Sequence, residues 1–116
     1  QAVERQSLSA ALERWRQKWE DLDTDEYLSF YAWDFRTNKL DRNRFVEYKK
    51  LVNAGKTEVK VSLENISLYR YPNVEGLYWV TYTQRYQSNN LNDVTKKQQY
   101  WRKKDGQWQI VYEDLW

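Results

Sequence analysis

The dipeptide Asp105-Gly106 constrains the fold most, because it predicts a two-residue hairpin turn between two aromatic-rich strands. The turn places Lys104 opposite Gln107, and directly opposed residues point to the same side of a sheet. Trp101 is therefore expected to oppose Ile110, and Gln99 to oppose Tyr112. Polar side chains, including Glu113, occupy the alternate positions. We predict that the core side of this hairpin carries Gln99, Trp101, Trp108, Ile110 and Tyr112.

Further strands precede the hairpin. From Thr57 apolar residues recur with a period of two, typical of a strand with one buried face. The apolar parity slips by one residue near Glu64-Asn65, which predicts a β-bulge and a curved sheet. A turn is expected over residues 72–76, followed by a long strand from Leu77 to Gln87.

The N-terminal half has helical periodicity. One predicted helix buries a stripe of apolar residues at spacings of three and four, namely Leu8, Leu12, Trp15, Trp19 and Leu22. Asp23 and Glu26 resemble a capping box that begins a second helix, expected to run through Tyr31. Asp41 is the predicted N-cap of a third helix that ends at Gly55. The buried stripe of the third helix is predicted to be Phe45, Tyr48 and Val52.

The predicted fold class is α+β, with three N-terminal helices packed on a curved, mostly antiparallel sheet of four to six strands. A chain of 116 residues is long enough for one hydrophobic core, so residues 1–116 are expected to form a single domain. The chain contains no Met and begins at Gln1, which indicates a segment of a longer or processed protein. No apolar run approaches the roughly 20 residues of a membrane-spanning helix.

The amino-acid composition limits which kinds of functional site the chain can form. The chain contains neither His nor Cys, so the side chain best suited to proton transfer near neutral pH and the thiolate nucleophile are both missing. We predict no catalytic residue, no metal site and no cofactor. With 19 basic and 17 acidic residues, the net charge of +2 is too small to indicate a nucleic-acid partner. Seven Trp and ten Tyr are typical of half-buried or ligand-binding surfaces.

One strand combines these aromatic residues with an amide. Tyr82, Gln84 and Tyr86 share a face, and a buried Gln is costly without a hydrogen-bonding partner. That partner is Gln99, a water molecule or a ligand; the face is either core or the wall of a pocket. The predicted ligand-binding residues are Tyr31, Tyr82, Gln84, Tyr86, Gln99, Trp101 and Tyr112. Phenol and amide groups suit sugars and peptide amides as ligands, because they donate and accept hydrogen bonds without carrying charge.

Three motifs resemble those of the cone-shaped nuclear transport factor 2-like (SnoaL-like) fold. Trp15 and Trp19 with residues 25–31 (DEYLSFY) resemble its opening, and residues 82–88 (YTQRYQS) resemble a central strand. Its closing motif resembles Lys97, Trp101, Gly106, Trp108, Ile110 and Glu113. The combination is similar to the C-terminal accessory domain of bacterial L,D-transpeptidase-family cell-wall proteins.

The resemblance implies a non-catalytic accessory domain in the periplasm or cell envelope that binds peptidoglycan fragments beside a transpeptidase-type module. Two alternatives stay open. A small dehydratase-type or isomerase-type enzyme would use Asp34 or Glu113 in a dry cavity. A dimerisation or protein-interaction module would use the outer sheet face, where Trp33, Trp79 and Trp116 are candidate exposed aromatic residues.

Overall fold

The computed structural model describes residues 2–116 and contains three helices and five strands within them. Helix α1 spans Ala2–Glu20, α2 spans Thr24–Ser29 and α3 spans Arg42–Ala54. The strands are β1 (Tyr31–Arg36), β2 (Val59–Arg70), β3 (Leu77–Ser88), β4 (Asn92–Lys104) and β5 (Gln107–Leu115).

The five strands form one sheet in the order β1-β5-β4-β3-β2. Every neighbouring pair is antiparallel except β1 and β5, which run parallel. The helices cover one face of the sheet, and the aromatic side chains between the two layers form the core. This arrangement confirms the predicted α+β class and the mostly antiparallel sheet.

Helix α1 is joined to β2 by hydrogen bonds as well as by its buried stripe. The predicted residues Leu8, Leu12, Trp15 and Trp19 are all buried. On the neighbouring helix face, Arg16 Nη1 donates to the carbonyl oxygen of Val61 (3.0 Å), and Glu20 Oε2 accepts from the Val61 amide (3.0 Å). These contacts satisfy backbone groups of the edge strand β2, which would otherwise be open to pairing with another chain.

The two predicted N-caps are confirmed. Asp23 accepts from the backbone amide of Glu26 (3.4 Å), and Asp41 accepts from that of Arg44 (2.9 Å). Each contact satisfies an amide of the first helical turn.

The second helix is shorter than expected. It ends at Ser29, and Tyr31 begins strand β1, so the prediction of a helix through Tyr31 was wrong. The competing interaction is with β5: the amide of Ile110 donates to the carbonyl oxygen of Phe30 (2.8 Å). A pairing partner almost eighty residues away leaves no local periodicity, and six residues are too few to show one.

Two predicted irregularities of the sheet are confirmed. Pairing of β2 with β3 shifts register between Glu64 and Ser67, and Asn65 has a φ of 54°. The hairpin turn has positive φ at both central residues, 52° at Asp105 and 76° at Gly106, as a type I′ turn requires.

Strand β5 contains a bulge that the sequence did not indicate. Trp101 opposes Ile110 as expected, but Tyr100 opposes Tyr112, because Val111 is an additional unpaired residue. Each later residue of β5 therefore points to the opposite face from the one predicted. The expected pairing of Gln99 with Tyr112 was wrong.

Because of the bulge, two neighbouring side chains lie on the sheet faces opposite to those predicted. Tyr112 lies on the outer face, where its ring is 6.1 Å from that of Tyr100. Glu113 lies on the inner face, opposite Gln99, and is only 5% exposed. An acidic residue predicted to face solvent is thus placed in the core.

Helix α3 is rotated relative to the prediction. Phe45 is buried as expected, but Tyr48 is 55% exposed, so its assignment to the buried stripe was wrong. The half-buried positions of the second and third turns are Val46, Lys49 and Val52. Gly55 caps the helix as predicted. Within residues 2–116 no helix is both long and apolar enough to cross a membrane.

Candidate functional site

A cleft opens between α3 and the inner face of β3, β4 and β5. It consists of two adjoining cavities of about 300 and 360 Å³. Both are lined by Tyr48 and Lys49 of α3, by Lys97 of β4 and by Leu115 of β5. We call the two cavities together the α3 cleft; the smaller one extends towards Gln84.

Unpartnered polar atoms concentrate around this cleft. Among residues 2–116, five buried side-chain atoms have no hydrogen-bonding partner: Trp19 Nε1, Asn53 Oδ1, Tyr82 OH, Gln84 Oε1 and Tyr86 OH. Four of these residues line the smaller cavity, and Tyr82 lies two positions from Gln84 on the same strand face. Buried polar groups in folded proteins are usually paired, so these five atoms are exceptions.

Three lysines give the smaller cavity a positive lining: Lys49, Lys56 and Lys97. Lys49 Nζ lies 5.0 Å from the centre of the Trp19 ring and 5.7 Å from that of Phe45. The pKa of Lys49 is lowered to about 8, chiefly by burial and in smaller part by the charge of Lys97. Glu113 acts in the opposite direction.

A satisfied polar network forms the floor beneath the cleft. Glu113 Oε1 accepts from Gln99 Nε2 (2.7 Å) and from the hydroxyl of Tyr31 (3.2 Å). Gln99 Oε1 in turn accepts from the indole of Trp101 (2.8 Å). The second oxygen of Glu113 lies 3.6 Å from Lys97 Nζ. Burial raises the pKa of Tyr31 well above its usual value, and the charge of Glu113 adds to this effect.

A family comparison identifies the fold. The model of the Cds6 C-terminal NTF2-like domain matches residues 7–114. The chain belongs to this family. No curated protein sequence matches it.

Solved structures agree with the family assignment. The NTF2-like domain is 28% identical to Bd1075 of Bdellovibrio bacteriovorus, with a TM-score of 0.86 over 96% of this chain and 39% of that one. The helical cell shape determining protein Pgp2 from Campylobacter jejuni, solved as a lysine-to-alanine variant, is also 28% identical. Its TM-score is 0.86 over 96% of this chain and 40% of the Pgp2 chain.

An NTF2-like protein of unknown function from Pseudomonas putida shares the fold at 17% identity, with a TM-score of 0.79 over 97% of this chain and 84% of that one. This NTF2-like domain thus spans about two fifths of the length of Bd1075 and Pgp2.

The predicted ligand-binding residues fall into three locations. Gln84 and Tyr86 line the α3 cleft, and Tyr82 lies beside them. The floor of the cleft contains Tyr31, Gln99 and Trp101, which are fully buried and hydrogen-bonded to protein groups. Tyr112 lies on the outer sheet face, away from the cleft, because of the bulge in β5.

The residues that α3 contributes to the cleft were not predicted from the sequence. Lys49 and Asn53 follow Phe45 by four and eight positions and therefore share its helix face. That spacing was available in the sequence, but the apolar ring of Tyr48 indicated a different face. Lys56 gave no signal beyond its charge, and Lys97 was named only as part of the closing motif.

The two carboxylates considered for catalysis have separate environments. Asp34 forms a bidentate pair with Arg102 (2.8 and 3.0 Å) near the surface and does not line the cleft. The hydrogen bonds from Arg102 lower the pKa of Asp34 below its usual value, away from neutrality. Glu113 does line the larger cavity, but both its oxygens already contact protein groups.

Proposed function

We propose that this domain is a non-catalytic accessory domain of a bacterial cell-envelope protein and that it binds peptidoglycan fragments in the α3 cleft. The catalytic module beside it would be of the L,D-transpeptidase type, in the periplasm. Support comes from its similarity to Pgp2, described as a helical cell shape determining protein, of which this domain spans 40%.

One observation carries the proposal: the buried polar atoms without partners lie around a single cleft. Gln84 Oε1 and Asn53 Oδ1 can accept hydrogen bonds there, Trp19 Nε1 can donate one, and the Tyr86 hydroxyl can do both. Leaving a buried polar group unsatisfied costs about 1–3 kcal/mol. A ligand with amide and carboxyl groups would recover much of that free energy.

The hydrogen bonds and the ion pair of Glu113 favour a binding function over a catalytic one. Its carboxylate accepts two hydrogen bonds and contacts Lys97, so it is held in position by the groups around it. A general base needs a free oxygen within hydrogen-bonding distance of the proton that it removes. In this arrangement Glu113 stabilises the floor of the cleft.

The test is calorimetric titration of the domain with purified muropeptides. Gln84→Leu removes a buried amide oxygen that lacks a hydrogen-bonding partner, so we expect stability to be unchanged or higher and muropeptide affinity to fall about tenfold. Gln87→Leu is the matched control, because Gln87 is exposed on the opposite face of the same strand. Equal affinities for Gln84→Leu and the wild type would contradict the proposed site.

A second candidate function, self-association, is favoured by aromatic residues on the outer sheet face. Two rows of rings cross the strands there. Tyr69 and Trp79 are 5.3 Å apart and Trp79 and Trp116 are 5.9 Å apart, while Tyr71 and Tyr100 are 6.1 Å apart. Tyr69 is 50% exposed and Trp116 is 61% exposed. Exposed apolar patches of this kind are typical of protein interfaces.

Sedimentation velocity over a range of concentrations tests self-association. We expect a dimer that Tyr69→Glu disrupts, because the substitution places a charge within the aromatic rows. Leu51→Glu is the control, since Leu51 is 78% exposed on α3. A monomer at every concentration would exclude dimerisation through this face.

A further inference from the structure

The aromatic rings at the α3 cleft are already engaged in packing. Trp19 lies 5.3 Å from Tyr86, 5.4 Å from Tyr27 and 5.6 Å from Trp15, measured between ring centres. Lys49 Nζ lies over the Trp19 ring as well. A sugar that stacks on an aromatic residue needs an open ring face, and Trp19 offers none. Trp19 and Tyr86, which both line the smaller cavity, each also carry a buried polar atom without a hydrogen-bonding partner.

Those polar atoms define what a ligand must carry. Gln84 Oε1 and Asn53 Oδ1 accept hydrogen bonds only, so the ligand needs N–H or O–H donors facing them. Trp19 Nε1 is a donor only, so the ligand also needs an acceptor. The cavity of about 300 Å³ is at the lower limit of the range typical of small-molecule sites. It can admit one end of a larger ligand.

The charges of the lining specify the acceptor. Within residues 2–116, Lys49 and Lys56 have no ion-pair partner, whereas Lys97 faces Glu113. Asp93 of β4 is the acidic residue lining the smaller cavity, and it is exposed. The lining therefore has an excess of positive charge, and a carboxylate is the acceptor that complements it.

We infer that the α3 cleft recognises a peptide end on which a carboxylate lies beside an N–H group. The inference rests on the proposed function and assigns recognition to the peptide stem of the muropeptide, not to its sugars. In this arrangement Lys49 and Trp19 donate to the carboxylate. Gln84 and Asn53 accept from the neighbouring amide or ammonium group.

The environment of Lys49 supports this assignment. Desolvation against aromatic rings disfavours the ammonium form, and the charge of Lys97 disfavours it further. A bound carboxylate would reverse this effect by pairing with the ammonium group. A lysine kept in an unfavourable site beside unpartnered polar groups is typical of binding sites.

The experiment uses three probes in calorimetric titrations at pH 7. The first is the peptide stem released from muropeptides, with free carboxylates. The second is the same stem with its carboxylates converted to amides. The third is N,N′-diacetylchitobiose, which carries acetamido sugars and no carboxylate. Each is titrated into the wild-type domain, into Lys49→Gln and into the control Lys50→Gln, which changes an exposed lysine of the same helix.

We expect the free stem to bind the wild type about as tightly as the intact muropeptide does. Amidation should weaken binding at least tenfold, and N,N′-diacetylchitobiose should not bind. Lys49→Gln should weaken binding of the free stem about tenfold and leave the amidated stem unchanged, while Lys50→Gln should behave as the wild type.

Suppose that the intact muropeptide binds. If the free and the amidated stems then bind with equal affinity, or if N,N′-diacetylchitobiose also binds, this inference is overturned and the proposed function stands. Failure of the intact muropeptide to bind would overturn both. The amidation comparison on the wild type decides the question even if Lys49→Gln does not fold.

Discussion

Replacing Lys49 with Met is expected to stabilise the domain at neutral pH. Lys49 is half-buried with its ammonium group against the rings of Trp19 and Phe45, and burial together with the charge of Lys97 lowers its pKa from 10.5 to about 8. A shift of that size corresponds to at most about 3.4 kcal/mol against the charged form. Because water at the mouth of the cleft screens part of this cost, we expect the free energy of unfolding to rise by about 1–3 kcal/mol.

The gain should depend on pH. Below pH 8 Lys49 is protonated in both the folded and the unfolded state, so the folded state bears the full free-energy cost of burying the ammonium group. Between pH 8 and 10.5 the unfolded state binds the proton more tightly, and the stability contributed by this group rises with pH. The advantage of Lys49→Met over the wild type should therefore be largest at pH 7 and shrink towards pH 10.

Urea denaturation at pH 7 and pH 10, followed by tryptophan fluorescence, measures this difference. Lys50→Met is the control, because Lys50 is exposed and should show no pH-dependent gain. The reasoning is refuted if Lys49→Met is less stable than the wild type at pH 7, or if its advantage is the same at both pH values. The same variant should also lose affinity for muropeptides.

Three further substitutions are expected to change the free energy of unfolding, each measured by urea denaturation. Glu113→Gln should destabilise the domain by about 2–4 kcal/mol, because it removes a buried charge that pairs with Lys97; an unchanged midpoint would contradict the account of the floor. Gly76→Ala should cost about 1–2 kcal/mol, since φ is +72° and the added Cβ would lie 3.2 Å from the carbonyl oxygen of Lys103; a neutral effect would show that the turn relaxes. Arg102→Ala should cost less than about 1 kcal/mol, because its ion pair is partly exposed; a larger loss would indicate a structural role.

The parts of the fold that the sequence predicted are those set by local chemistry. Asp105-Gly106 supplies the two positive φ angles of the hairpin turn within two residues. The slip in parity near Asn65 marks the bulge in β2, because apolar side chains must return to the core after the additional residue. Asp23 and Asp41 begin helices because their carboxylates accept from amides three residues later.

The missed features depend on distant parts of the chain. Ile110, Val111 and Tyr112 are all residues that favour strands, so nothing in their types marks Val111 as unpaired. The bulge becomes apparent only when β4 is placed beside β5, and it decides that Glu113 faces the core. Pairing of β1 with β5 is equally non-local.

The candidate site was predicted only in part, because it too depends on contacts between distant parts of the chain. Gln84 and Tyr86 were selected because an amide among aromatic residues on one strand face needs a partner, and both line the cleft. Lys49 and Asn53 were missed because polar residues on a helix are expected to face solvent. The outer wall of the cleft is α3, and its rotation is fixed by packing that periodicity alone does not determine.

The most direct test of the central claim is an NMR titration of the ¹⁵N-labelled domain with a muropeptide, following the indole N–H of Trp19 and the side-chain amide of Gln84. We expect both signals to shift together and to saturate, because Trp19 Nε1 and the amide oxygen of Gln84 lack protein partners and gain them from the ligand. The indole of Trp101, which already donates to Gln99, should move little. Shifts confined to the outer sheet face, with Trp19 and Gln84 unchanged at saturation, would contradict the account.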